Sequence, residues 1–224
     1  RLSGNYLNRQ SIAFDGTLKV DSLQLDIILK NEQLWAISLT LNASGSGSSL
    51  STLDATLNSD FTQLSFNGYD FSNLVLKGAI EDGKGDIDLN FKDDNLNFTS
   101  NTLVDLDSLD SDIKLDLDLI GADLQTLGIT QENIRAGIKL NADFKGNTGD
   151  FTLNALVSEG TVVYESNQYK LGNIDVRAAV DTTRTEASID GDFLTANLES
   201  NAMPDRIASA LQRQFEAYFA ETKL

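Results

Sequence analysis

Two groups of residues in this sequence are of types that do chemistry. One is a run of acids, Asp105, Asp107, Asp110, Asp112, Asp116 and Asp118, whose oxygens suit a hard cation such as calcium. An EF-hand loop opened by Asp105 needs an oxygen ligand at its fifth position and glycine at its sixth. Leu109 and Asp110 stand there instead. The Gly-Gly-x-Gly-x-Asp calcium repeat of β-helices is also absent. The other group is the acids as a whole. Paired carboxylates hydrolyse glycosides, but with 34 Asp and Glu in 224 residues some pair always sits close. The aromatic residues that sugars stack on are few, with a single Trp.

The missing residue types narrow the chemistry further. There is no Cys and no His. That removes disulfides, thiolate nucleophiles, zinc–sulfur sites and the usual general base. No nucleophile elbow, phosphate-binding P-loop or His-Glu-x-x-His zinc motif occurs. The sequence therefore predicts no enzyme, no catalytic residue, no metal ligand and no cofactor. The net charge of −17 argues against nucleic acid as a partner, because phosphate binding needs clustered Lys and Arg. No apolar run approaches the roughly 18–20 residues that span a bilayer. The chain opens at Arg1 and its one Met is Met203, which reads as a processed chain or an excised piece.

The elements that must carry these acids are strands. From Ile134 to Phe144 the even positions are Ile134, Ala136, Ile138, Leu140, Ala142 and Phe144, and the odd ones Arg135, Gly137, Lys139, Asn141 and Asp143. Period 2 puts one set on an apolar face and the other in water. Ile113, Leu115, Leu117 and Leu119 alternate in the same way with Lys114, Asp116 and Asp118. Residues 12–199 hold roughly 15 such segments, far above the usual strand share. Turn signals at 81–85, 92–95 and 145–149 separate them. Short loops make neighbours antiparallel, and one Pro in the chain, Pro204, suits long paired ladders. The acids then form the wet face of a sheet.

Three stretches depart from the alternation. Ala122 to Leu127 predicts a short helical turn. After Pro204, the residues Ile207, Leu211, Phe215, Tyr218 and Phe219 predict one C-terminal amphipathic helix. Ser44 to Ser49 reads as a loose loop. There is also an internal repeat. Tyr69 to Glu81 aligns with Tyr169 to Asp181 at an offset of 100, matching at Tyr, Asn and Ala, and the register continues through 101 and 201. This predicts one β-rich unit of two stacked modules, about 1–121 and 122–224.

Alternation by itself fits two arrangements: a closed sandwich, or a long curved sheet lining a groove about 10 Å wide, enough for an acyl chain. Here a family resemblance adds to the residues. Leu64-Ser65-Phe66-Asn67-Gly68-Tyr69 followed by Asn73-Leu74-Val75-Leu76-Lys77-Gly78 resembles the recurring unit of TamB-type proteins, within the AsmA-like family. So do Asp93 to Phe98, Ala122 to Leu127 and Gly149 to Asn154, although the Pro common in the family near the Asp93 unit is missing. The resemblance implies an all-β, mostly antiparallel, long curved sheet shaped as a trough. It implies an internal segment of a bridge-like lipid-transport and outer-membrane biogenesis protein. That protein stands in the periplasm of a Gram-negative bacterium and is anchored in the inner membrane outside this segment. The implied partners are phospholipid or another acyl-chain lipid and a BamA-like outer-membrane protein. The implied groove lining is Trp35, Ile37, Leu39, Leu41, Leu74, Leu76, Ile80, Ile87, Leu89, Phe91, Ile113, Leu115, Leu117, Leu119, Ile138, Leu140, Phe144, Phe151, Leu153, Ile174, Val176 and Val180. The alternative is a structural or adhesive envelope protein whose apolar faces form a closed core.

Overall fold

The computed structural model describes residues 2–8, 12–24, 34–66, 68–147, 149–204 and 206–207. They form strands β1 (Leu2–Asn8), β2 (Ile12–Gln24), β3 (Leu34–Gly47), β4 (Asp54–Phe66), β5 (Tyr69–Phe71), β6 (Leu74–Glu81) and β7 (Lys84–Lys92). They continue as β8 (Leu96–Asp105), β9 (Ser111–Asp123), β10 (Ile134–Asn147), β11 (Asp150–Tyr164), β12 (Asn167–Val180), β13 (Thr185–Gly191) and β14 (Thr195–Ser200). All belong to one sheet whose order is the chain order, apart from the short β5, which pairs only with β4. Every pairing is antiparallel. The path of thirteen strands spans roughly 58 Å at a spacing of about 4.8 Å. Among the described residues no second sheet lies on either face, and β1 and β14 are open edges.

The turns follow local chemistry. Asp82 and Gly83, at φ of 46° and 74°, close β6 onto β7 as a two-residue turn with both residues left-handed. Glu165 and Ser166, at φ of 48° and 66°, do the same between β11 and β12. Ser44 to Gly47 is not a loop: it completes β3, with Gly45 opposite Phe14 and Ala55. A Cβ on Gly45 would stand 2.8 Å from the Phe14 ring, so the ring lies over bare backbone there. The chain breaks pairing only at Ser48 and then makes the 3-10 turn Leu50–Thr52.

The expected turn at Ala122 begins two residues later. Ala122 and Asp123 end β9, because Ala122 is buried in the apolar face opposite Leu96 and Ala136. One helical turn follows, with the Leu127 N–H donating to the Asp123 carbonyl at 3.1 Å. The Asp123 carboxylate accepts from the N–H groups of Gln125 and Thr126, as a helix N-cap does. At the other end, Arg206 and Ile207 N–H groups both donate to the Met203 carbonyl, so a helical turn opens at Pro204. Leu211, Phe215, Tyr218 and Phe219 lie outside the described residues. The aligned segments 69–101 and 169–201 each run as a three-pass meander, the first through β5–β6, β7 and β8, the second through β12, β13 and β14.

One further feature crosses the strands. Extra residues interrupt the ladder at Ser22 in β2, Thr62 in β4, Ile120–Gly121 in β9 and Glu159–Gly160 in β11. Asn73, at φ of 60°, separates β5 from β6 at the same level. Each β-bulge bends its own strand and tightens its twist. These lie within about a residue step of one line running across the sheet; a further shift, between Leu34 and Ile37 in β3, lies off it.

Candidate functional site

The register joins the alternating apolar positions of successive strands into rows. The central row reads Leu18, Leu41, Ser59, Leu76, Leu89, Ser100, Leu117, Leu140, Val157 and Ile174 from β2 to β12. A second runs beside it as Gly16, Ala43, Leu57, Gly78, Ile87, Thr102, Leu115, Ala142, Ala155, Val176 and Ile189. A third holds Ile80, Val104, Ile113, Phe144 and Leu153, and a fourth, on the other side, Leu39, Phe61, Leu74, Phe91, Phe98, Leu119 and Ile138. None of these positions carries a charge. Residues paired across a ladder share a face, so this is one face.

Of the residues expected to line a groove, Trp35 has a side chain outside the described residues. The other twenty-one, including Ile37, Phe151 and Val180 at the row ends, all stand on this face. Their exposure differs from that of the opposite face. Along β9, Leu115, Leu117 and Leu119 are half-buried, while Lys114, Asp116 and Asp118 are exposed. The apolar side chains cover one another, with no second sheet above them among the described residues.

Aromatic packing closes one flank near the line of bulges. Tyr69 and Phe71 meet edge to face at 4.6 Å, Phe71 and Phe91 at 5.7 Å, and Phe91 and Phe98 at 5.7 Å. Phe71 is only 2% exposed. Its turn is held by Asp93, whose carboxylate accepts from the Tyr69 hydroxyl at 3.1 Å, the Ser72 N–H at 3.2 Å and the Asn95 N–H at 3.0 Å. Burial, ahead of the nearby Asp93, raises the Tyr69 phenol above its ordinary value of 10.0. On the opposite flank Phe144 and Phe151 stack at 5.3 Å.

Three hydroxyl residues interrupt the apolar rows: Ser100 and Thr102 are half-buried, and Ser59 is buried. Ser59 is 3% exposed, between Leu41 and Leu76, and its hydroxyl has no hydrogen-bond partner. An unpaired buried hydroxyl costs about 1–3 kcal/mol. The Asn97 and Asp112 Oδ1 atoms are also buried without a partner, but the other buried hydroxyls are satisfied. Ser38 accepts from the Ser22 N–H, Ser65 donates to Asp70, and Thr185 donates to the Ala202 carbonyl.

The outer face carries the acids. Asp88, Asn101, Asp116 and Asn141 form a cross-strand row, with Asn101 donating to Asp88 at 2.9 Å and Asn141 donating to Asp116. Lys84 pairs with Asp105 at 2.7 Å, Lys139 with Glu159 at 2.8 Å and Lys145 with Asp112 at 3.0 Å. The hydrogen bond from each lysine to its acid, and then the charge of that acid, hold these ammonium groups above their ordinary value of 10.5. Asp107 serves its own loop by accepting from the Leu109 N–H at 2.8 Å. The run from Asp105 to Asp118 is thus spread along two strands and a loop. Among the described residues no group of three acids is placed to hold a metal ion.

Leu18, Leu57, Phe61 and Phe98 share the face but are not among the lining residues expected from the sequence. The signal was present in Ala55, Leu57, Ser59 and Phe61, but a serine in the alternating set lowers the apolar count. By its fold the protein is all-β: its described residues form one long, open, antiparallel sheet with one apolar face and one acidic face. Comparison with protein-family models, curated proteins and solved structures finds no match.

Proposed function

We propose that the apolar face is the floor of a trough that carries the acyl chains of phospholipid. The observation that carries this reading is the set of uncharged rows running across the sheet, with no second layer on them among the described residues. A stable single-layer sheet with a face of this kind needs an occupant, since exposed apolar patches of more than a few hundred Å² mark binding surfaces. The line of bulges supports a trough over a flat plate, because bulges bend strands and curve sheets. The lower exposure of the apolar face supports the same hand of curvature. The acidic outer face suits contact with water along the whole length.

The resemblance to TamB-type proteins points the same way. On this reading the chain is a periplasmic section of an inner-membrane-anchored lipid-transport protein acting in outer-membrane biogenesis, with a BamA-like partner at the outer membrane. No bond is made or broken, so the reading assigns no catalytic group. Native mass spectrometry of the gently purified chain tests it. The expected spectrum shows phospholipid adducts that organic extraction removes. A lipid-free spectrum, together with no uptake of added phosphatidylcholine, contradicts the reading.

A further inference from the structure

We infer that Ser59 is a polar waypoint in the apolar face, a hydroxyl that donates to the ester carbonyl of an acyl lipid. The inference rests on the lipid-trough reading. Ser59 faces the apolar side between Leu41 and Leu76, with Leu57 and Phe61 as its same-face neighbours along β4. A leucine there would continue the run of Leu76 and Leu89 on the next two strands; Ser100, the row's other serine, is only half-buried. The hydroxyl is instead buried and unpaired, although the other buried hydroxyls of this sheet have partners. An orphan hydroxyl is costly in the empty protein, and a ligand that brings an acceptor removes that cost. A hydrocarbon chain has no acceptor; the carbonyl that joins it to a lipid backbone is one.

Two matched probes separate this from plain hydrophobic binding: dodecylpyrene, and the methyl ester of pyrenedodecanoate, which adds a carbonyl. Each is titrated by fluorescence into the full chain, its Ser59→Ala variant and its Ser59→Thr variant. Removing the donor is expected to weaken ester binding about fivefold, ~1 kcal/mol, with dodecylpyrene affinity unchanged. Ser59→Thr keeps a hydroxyl and is expected to restore the ester affinity. The thermal midpoint of Ser59→Ala is expected to equal or exceed that of the parent, since the orphan group is gone. If Ser59→Ala shifts both probes alike, or neither, the waypoint is wrong and the trough stands. If the parent chain binds neither probe, the trough and the waypoint fall together.

Discussion

Leu117 stands in the middle of the central row, with Ser100 and Leu140 beside it across the ladder and Leu115 and Leu119 along its own strand. Leu117→Asp puts a carboxylate where an acyl chain would lie. Two or three methylenes of the chain lose their apolar contact at ~0.8 kcal/mol each, about 2 kcal/mol in all. At 1.4 kcal/mol per decade, the affinity for an acyl lipid is expected to fall about thirtyfold. Burial of half a leucine side chain is also lost, so stability is expected to drop by roughly 1–2 kcal/mol with the sheet intact. Far-UV circular dichroism checks the fold, and titration with pyrene-labelled phosphatidylcholine in phosphatidylcholine vesicles reads the binding. Lys114→Asp is the control: the same new carboxylate on the same strand, with a larger change in net charge, but on the exposed outer face. It is expected to leave lipid affinity within about twofold, less than 0.5 kcal/mol. Equal losses in the two variants, or an unchanged affinity in a folded Leu117→Asp, would falsify the reasoning.

Three further outcomes follow from local features. Phe71→Ala removes the most buried of the described large side chains and the middle ring of the Tyr69–Phe71–Phe91 contacts; urea unfolding is expected to show a loss of about 3–5 kcal/mol. Replacing Glu165 and Ser166 by Asn and Gly, which accept the left-handed backbone of that turn, is expected to raise stability by about 1 kcal/mol, read by thermal unfolding. Asp181 is held below its ordinary value of 3.8 by the Thr183 N–H and then the Thr183 hydroxyl. A lowered folded-state value means its contribution is present above about 3.8 and disappears as pH falls through the folded value. Hydrogen-exchange protection at the β12–β13 turn, taken relative to the intrinsic rate at each pH, is therefore expected to fall on acidification below that point, and less so in Asp181→Asn.

How much of this was legible in the sequence depended on whether the signal was local. Period-2 alternation placed twenty-one of the expected lining residues on one face, because a side chain's face is set by parity within its own strand. Asp82-Gly83 announced its turn, whereas Glu165-Ser166 makes the same turn from residues with no such preference. Ser44 to Gly47 read as a loop from composition, but pairing with β2 and β4 on both sides and the Phe14 ring over Gly45 hold it as strand. Ala122 read as helical from its downstream neighbours, and burial against Leu96 and Ala136 keeps it in the ladder. The line of bulges was not legible. An extra residue in one strand acquires meaning only from its partner strand, and Ser22, Thr62 and Glu159 are ordinary residues by type. The orphan state of Ser59 is hidden for the same reason, since a missing partner is a property of the neighbourhood.

The central claim is that acyl chains lie on one face of this sheet. Site-specific photo-crosslinking on a single strand tests it most directly. A benzoylphenylalanine replaces in turn Leu115 and Leu117 on the apolar face, and Lys114 and Asp116 on the outer face. Each variant is irradiated with radiolabelled phosphatidylcholine vesicles. The account predicts strong lipid labelling at 115 and 117 and background labelling at 114 and 116, an alternation with the parity of the strand. Labelling that ignores parity, or that favours 114 and 116, contradicts it.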